Sequence, residues 1–155
     1  MSKKPSFYFT NQTIDRKIAR EVELKIEKAT GLNLDNPFYD GEAKEVKALD
    51  GTGVSDMSAD EICGADLRKI RDSDGILAYM SNDRDIGSCM EIAIASYTWG
   101  KPVYIIATTP QHFHHPWIKY FATGLFASAY EFIKFAQDKW GVPEVVALQQ
   151  EDLAA

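Results

Sequence analysis

With 155 residues the chain has the length of one domain and enough of it to bury a core. Its 45% hydrophobic and 26% charged residues are ordinary for a globular protein, and a formal charge of −6 argues against a nucleic-acid backbone as partner while leaving an uncharged nucleoside open. The two cysteines form no metal or disulfide pattern, no run approaches the roughly 18 apolar residues of a membrane span, and no secretory-type apolar run follows Met1, so a reduced cytoplasmic domain is expected.

A short aromatic run over 6–10 reads as the first strand. Thr13 is placed to cap a helix in which Ile14, Ile18, Val22 and Ile26 recur every four residues, with Gly31 as its stop. Residues 32–40 read as a short strand running into a loop broken at Asn36-Pro37. The polar segment 41–57 reads as a long flexible excursion, of the kind that often forms lids or binding loops. Ser58-Ala59-Asp60-Glu61 has capping-box spacing, so a second helix is expected from there to about Arg71.

The continuous apolar run 75–80 reads as a buried parallel strand. A strongly apolar helix over 88–99, stopped by Gly100, and another buried strand over 102–107 follow. A short strand at 124–126 and a helix over 128–140 close a domain drawn at 1–143, with 144–155 as a weakly patterned tail. This alternation predicts an α/β fold, a doubly wound parallel sheet of about five strands with helices on both faces.

In open α/β sheets ligands bind at the carboxyl ends of the strands, which puts the segment 81–91 at the site. Its carboxylates enter the first turns of a helix whose free N–H groups and dipole favour negative charge. Asp85 or Ser88 could serve there as a plain cap. Glu91 is more unusual, being the one charged side chain in 88–99, among Met90, Ile92, Ala93, Ile94 and Ala95. Such a helix is expected to be buried on most sides, where a carboxylate must be paired, bridged or put to use.

On the preceding helix, Ile62, Asp66 and Ile70 share one face, so a carboxylate interrupts an apolar stripe. Asp66 is therefore expected to point inward, toward the cleft or toward backbone groups of a neighbouring loop. Carboxylates converging on one cleft suit nucleophilic and acid–base work on a glycosidic bond. From loop position, Asn36, Phe38 and Asp40 are expected to form one wall of a base pocket. Gly87 and Ser88 are expected to touch substrate, and Trp117 to cover it or pack. The three histidines at 112, 114 and 115 read as loop residues rather than metal ligands.

The run from Asp85 through Gly87 and Glu91 to Ala95, followed by Gly100-Lys101-Pro102-Val103, resembles the nucleoside 2-deoxyribosyltransferases. In that family an Asp stands six residues before a helix-opening Glu, and a Gly-Lys pair precedes the next strand, as here. Tyr8-Phe9, Asp15-Arg16, Asp66 and Ser73-Asp74-Gly75-Ile76 extend the resemblance over residues 6–107.

The resemblance implies a flavodoxin-like fold and a covalent deoxyribosyl intermediate on Glu91. Asp66 would protonate the departing base, Asp85 would bind or protonate the base, and Tyr8 would orient Glu91. It implies a deoxynucleoside and a free nucleobase as substrates, no metal or organic cofactor, and a homo-oligomer with shared active sites. The sequence departs from the family at 109–118, which lacks the Asn that members lend to a neighbouring subunit's sugar site. Two alternatives stay open: an N-glycosidase that hydrolyses deoxynucleoside 5′-monophosphates, and a non-catalytic nucleotide-binding module. The first turn, Thr10-Asn11-Gln12-Thr13, lacks the glycine or arginine of a phosphate cradle, which favours free nucleosides.

Overall fold

A computed structural model describes residues 3–38 and 58–144; the expected excursion at 41–57, Asp40 and the tail beyond 144 lie outside the described residues. The elements run β1 (Ser6–Asn11), α1 (Arg16–Thr30), β2 (Asn33–Asp35), α2 (Ala59–Asp72), β3 (Gly75–Met80) and α3 (Gly87–Ala93). There follow β4 (Val103–Ala107), α4 (Pro110–His114), α5 (Pro116–Phe121), β5 (Gly124–Phe126) and α6 (Ala129–Trp140). The five strands form one sheet in the order β2-β1-β3-β4-β5, every pairing parallel. This is the flavodoxin-like α/β arrangement that the alternation predicts. Among the described residues no helix is long and apolar enough to cross a membrane.

Each face of the sheet carries its own core. Alternate residues of a strand point to opposite faces, so Phe7 and Phe9 enter one core with Ile26, Leu77 and Phe132 from the α1 and α6 side. Tyr8 enters the other with Ile70, Ile92, Ala95 and Ile118 from the α2, α3 and α5 side. All residues of β3 and β4 are buried, as their unbroken apolar runs require of strands covered on both faces.

The first helix departs from its expected start and stripe. The chain opens it with a 3-10 turn, Thr13–Asp15, and the α-helix begins only at Arg16, so Thr13 is not its cap. Positions four apart drift by about 40° per step around an α-helix, so a long i, i+4 series does not keep to one face. Ile14 and Ile18 are exposed, and Ala19, Glu23, Ile26 and Thr30 form the buried face. Ala19, fully buried, allows close approach to the sheet. Glu23, also buried, accepts from Arg20 Nη1 and from Asn36 Nδ2, each at 2.7 Å. Gly31 ends the helix as read, in the left-handed region at φ 70°.

The second helix starts as expected, with Ser58 Oγ accepting from the Glu61 N–H. α3 keeps α-geometry only to Ala93 and widens into a π-turn over Ile94–Thr98 before Gly100. The histidines at 112, 114 and 115, read from sequence as loop residues, instead belong to two short helices and the cap between them. Each helix begins with proline at its first position, where no N–H is needed, and is capped by Thr109 or His115.

Gly75 packs where no side chain fits, since a Cβ there would lie 2.4 Å from the Pro102 carbonyl oxygen. Gly75→Ala must therefore part β3 from the strand beside it. We expect a loss of about 3 kcal/mol, read as a lower urea midpoint with unchanged slope.

Candidate active site

The carboxyl ends of β1 and β3 carry the loops that build the cleft. β1 presents Tyr8 and Thr10 on one face, two residues apart and both almost fully buried. β3 leads through residues 81–86 into α3, whose second turn brings Glu91 to the same face. The Thr10 hydroxyl donates to Ser88 Oγ at 2.9 Å, tying the end of β1 to the start of α3. Gly87 leaves space beside the carboxylate, since a Cβ there would lie 3.9 Å from Glu91 Oε1.

Burial raises the pKa of Glu91 from 4.5 to about 8, and the nearby Asp66 and Asp85 carboxylates push it the same way. Hydrogen bonds with Tyr8 and Thr10 oppose the shift without cancelling it. Glu91 Oε2 is closed off from solvent and has no hydrogen-bond partner among the described residues. The charge of Asp66 disfavours a second negative charge beside it, so Glu91 holds a proton at neutral pH. A stored proton beside a potential nucleophile is what acid-assisted displacement needs.

Asp85 combines two environments. Its Oδ1 accepts from the Ser88 N–H at 3.0 Å, as a helix cap does, while Oδ2 is buried with no partner among the described residues. Burial raises its pKa; hydrogen bonds from Ser88 and the charge of His112 work against this, and Asp15 adds to it. His112 sits almost fully buried on α4, with Nδ1 3.0 Å from Thr109 Oγ1. Burial lowers its pKa, and the Asp85 and Asp83 carboxylates partly restore it. Cys89 points away from thiol chemistry: its Sγ contacts the Asp85 carbonyl at 3.1 Å, and burial raises its pKa.

Of the residues singled out from sequence, Tyr8, Asp66, Asp85, Gly87, Ser88 and Glu91 come together here. Asn36 lies buried against α1, donating to Glu23 and accepting from the Phe38 N–H. Trp117 lies elsewhere, exposed on α5 and stacked on Phe121. It lines a largely apolar cavity of about 700 Å³ with Ile94, Tyr97 and Tyr120, which none of the three acidic residues enters. Thr10 and His112 were missed. Alternation along β1 from Tyr8 would have found Thr10, whereas only the fold of 109–121 into helices brings His112 to Asp85. Among the described residues no group of three or more His, Cys, Asp or Glu is arranged to hold a metal ion.

No family model and no curated protein matches the sequence. One solved structure that is similar in fold is a conserved protein from Enterococcus faecalis V583, with a TM-score of 0.65 at 15% identity. The alignment covers 88% of this chain and 99% of that one. At this identity the likeness defines the class, a flavodoxin-like α/β domain, and leaves the reaction to the site.

The raised pKa of Glu91 has a consequence for stability. Between pH 4.5 and about 8 the folded state keeps a proton that the unfolded chain releases, so stability falls as pH rises through that window. Glu91→Gln removes this dependence. The variant should match the wild type below pH 4.5 and exceed it by a few kcal/mol above pH 8, as read from urea midpoints against pH.

Proposed function

We propose that this chain is a nucleoside 2-deoxyribosyltransferase that exchanges the base of a 2′-deoxynucleoside through a covalent intermediate on Glu91. The observation that carries the reading is the buried Glu91 carboxyl, in contact with Tyr8 and Thr10 and coupled to Asp66 and Asp85. In the first half-reaction a Glu91 oxygen attacks the anomeric carbon as the bond to the base nitrogen breaks. The bonding electrons leave with the base, and the proton held by Glu91 passes through Asp66 to the leaving nitrogen. In the second, a new base attacks the same carbon, its proton returns to Asp66, and the ester to Glu91 breaks. Two displacements retain the sugar configuration.

Tyr8 has a positioning role, because its hydrogen bond favours the ionised carboxylate against the desolvation around it. Asp85, with Oδ2 free of partners among the described residues, faces the base. Free nucleosides suit the site better than monophosphates: the Ser88 N–H, in the first turn of α3 where a phosphate would seat, is engaged by Asp85. The shared-site assembly of the resembling family is part of this proposal. It is supported by the exposed Ile86, Met90, Tyr97, Trp117 and Tyr120 on and around α3 and α5, an apolar face that a second copy would cover.

Incubating deoxynucleosides and deoxynucleoside monophosphates with and without a second free base tests the proposal. New nucleoside formed only when the second base is present is expected. Base released from monophosphates alone would make the protein a hydrolase, and no change in any tube would favour a binding module. Glu91→Ala should lower exchange at least about a thousandfold, and wild-type kcat/KM should fall as pH rises through about 8, where Glu91 gives up the proton that the leaving base needs. In solution the chain should sediment as an oligomer that Trp117→Lys with Tyr120→Lys disperses to monomer.

A further inference from the structure

The end of β1 carries a second set of polar atoms that the displacement chemistry does not use. Asn11 is 7% exposed, and both its Oδ1 and its Nδ2 are buried with no hydrogen-bond partner among the described residues. Gln12 Oε1 and Arg16 Nη1 share that condition. Folded chains rarely leave one buried amide atom unpaired, and leaving both unpaired is costly. Their position adds to the observation. β1 lies between β2 and β3, so the chain leaves it toward one edge of the sheet and later returns to build the other. The carboxyl ends of β1 and β3 thus flank the topological switch point, the ligand crevice of this architecture.

The face matters as well. Tyr8 and Thr10 point to the Glu91 side, so Asn11 points to the opposite side with Phe7 and Phe9, next to Tyr79 across the ladder. A ligand that reaches both Glu91 and Asn11 must lie across the end of the sheet, with its reacting atom on one side and a distal polar edge on the other. We infer that Asn11, Gln12 and Arg16 form the recognition site for the Watson–Crick edge of a nucleobase in which a ring carbonyl stands next to a ring N–H, as in hypoxanthine and uracil but not in adenine or cytosine. This rests on the nucleoside reading and deepens it.

The chemistry of the set selects the ligand. Asn11 offers a donor and an acceptor side by side, which complements a base edge bearing a carbonyl next to an N–H. Gln12 Oε1 adds an acceptor for a base N–H. Arg16 Nη1 can only donate, and so favours a carbonyl oxygen over an exocyclic amine. A phosphate, which only accepts, would leave Asn11 Oδ1 and Gln12 Oε1 facing negative charge. Asp15 is engaged nearby, accepting from the Ser81 hydroxyl at 2.6 Å and from Asn82 Nδ2, so it holds the crevice walls together. Gln12 and Arg16 are half-buried and carry the site toward the surface.

Calorimetric titration of the full chain with free hypoxanthine, uracil, adenine and cytosine, and with inorganic phosphate, reads the site without relying on turnover. Asn11→Leu keeps the size of the side chain and removes its hydrogen bonds; it should weaken every base about tenfold or more. Arg16→Met should weaken hypoxanthine and uracil and leave adenine and cytosine near their wild-type affinity. Unchanged base affinity in Asn11→Leu would overturn the inference. So would phosphate that displaces the bases and loses binding in Arg16→Met, which would mark an anion site. If Asn11→Leu does not fold, Arg16→Met decides alone, an unchanged preference between the two pairs of bases refuting the assignment. Base binding that depends on Asn11 without any base exchange would uphold this site and refute the transferase. A wild type that binds no base refutes both.

Discussion

β1 and β3 lie side by side in parallel, from Phe7 against Gly75 to Asn11 against Tyr79, and this pairing is what the rest of the molecule depends on. It sets their carboxyl ends level, so the loop after each strand opens onto the same crevice. On the other side of β3, position 75 carries no side chain, which lets Pro102 and the start of β4 approach it closely. From the pairing of β1 with β3 follow the Thr10–Ser88 hydrogen bond, the approach of Asp15 to Ser81 and Asn82, and the placement of Glu91 over Tyr8. A parallel sheet buried on both faces has no solvated side for such groups, so its polar chemistry concentrates at the strand ends.

The acidic cluster works against the stability of the fold. Glu91 is buried beside the Asp66 and Asp85 carboxylates, and it answers their charge by keeping a proton. The local cost is accepted where the geometry is useful, as at sites that store charge for a reaction. Glu23 shows the contrast. It is as buried as any residue in the chain, yet Arg20 and Asn36 engage both its oxygens, which marks a structural carboxylate. The different treatment of Glu23 and Glu91 separates scaffold from site more clearly than burial does.

The π-turn after α3 and the two short helices that follow β4 shape the outer surface. Widening at Ile94–Thr98 turns Tyr97 outward, opposite Trp117 and Tyr120 on α5. The resulting apolar cavity is lined by none of the three carboxylates. His112 links the two regions, being anchored on α4 by Thr109 while its charge acts on Asp85.

Local chemistry determined the elements by itself. The unbroken apolar runs at 75–80 and 103–107, the Ser58 capping box and the stops at Gly31 and Gly100 act within a few residues, and each is legible in sequence. The Asp85–Glu91 spacing and the intrusion of Asp66 into an apolar face were legible for the same reason. Tertiary structure decided what depends on distant partners: that Ile14 and Ile18 face solvent, that Asn36 serves Glu23, that Trp117 lies apart from the carboxylates, and that His112 reaches Asp85. It also decided that Asn11 ends buried with its amide unpaired. Helix phase, and which polar atoms find partners, are set by packing between segments far apart in the chain, and no local pattern carries that information.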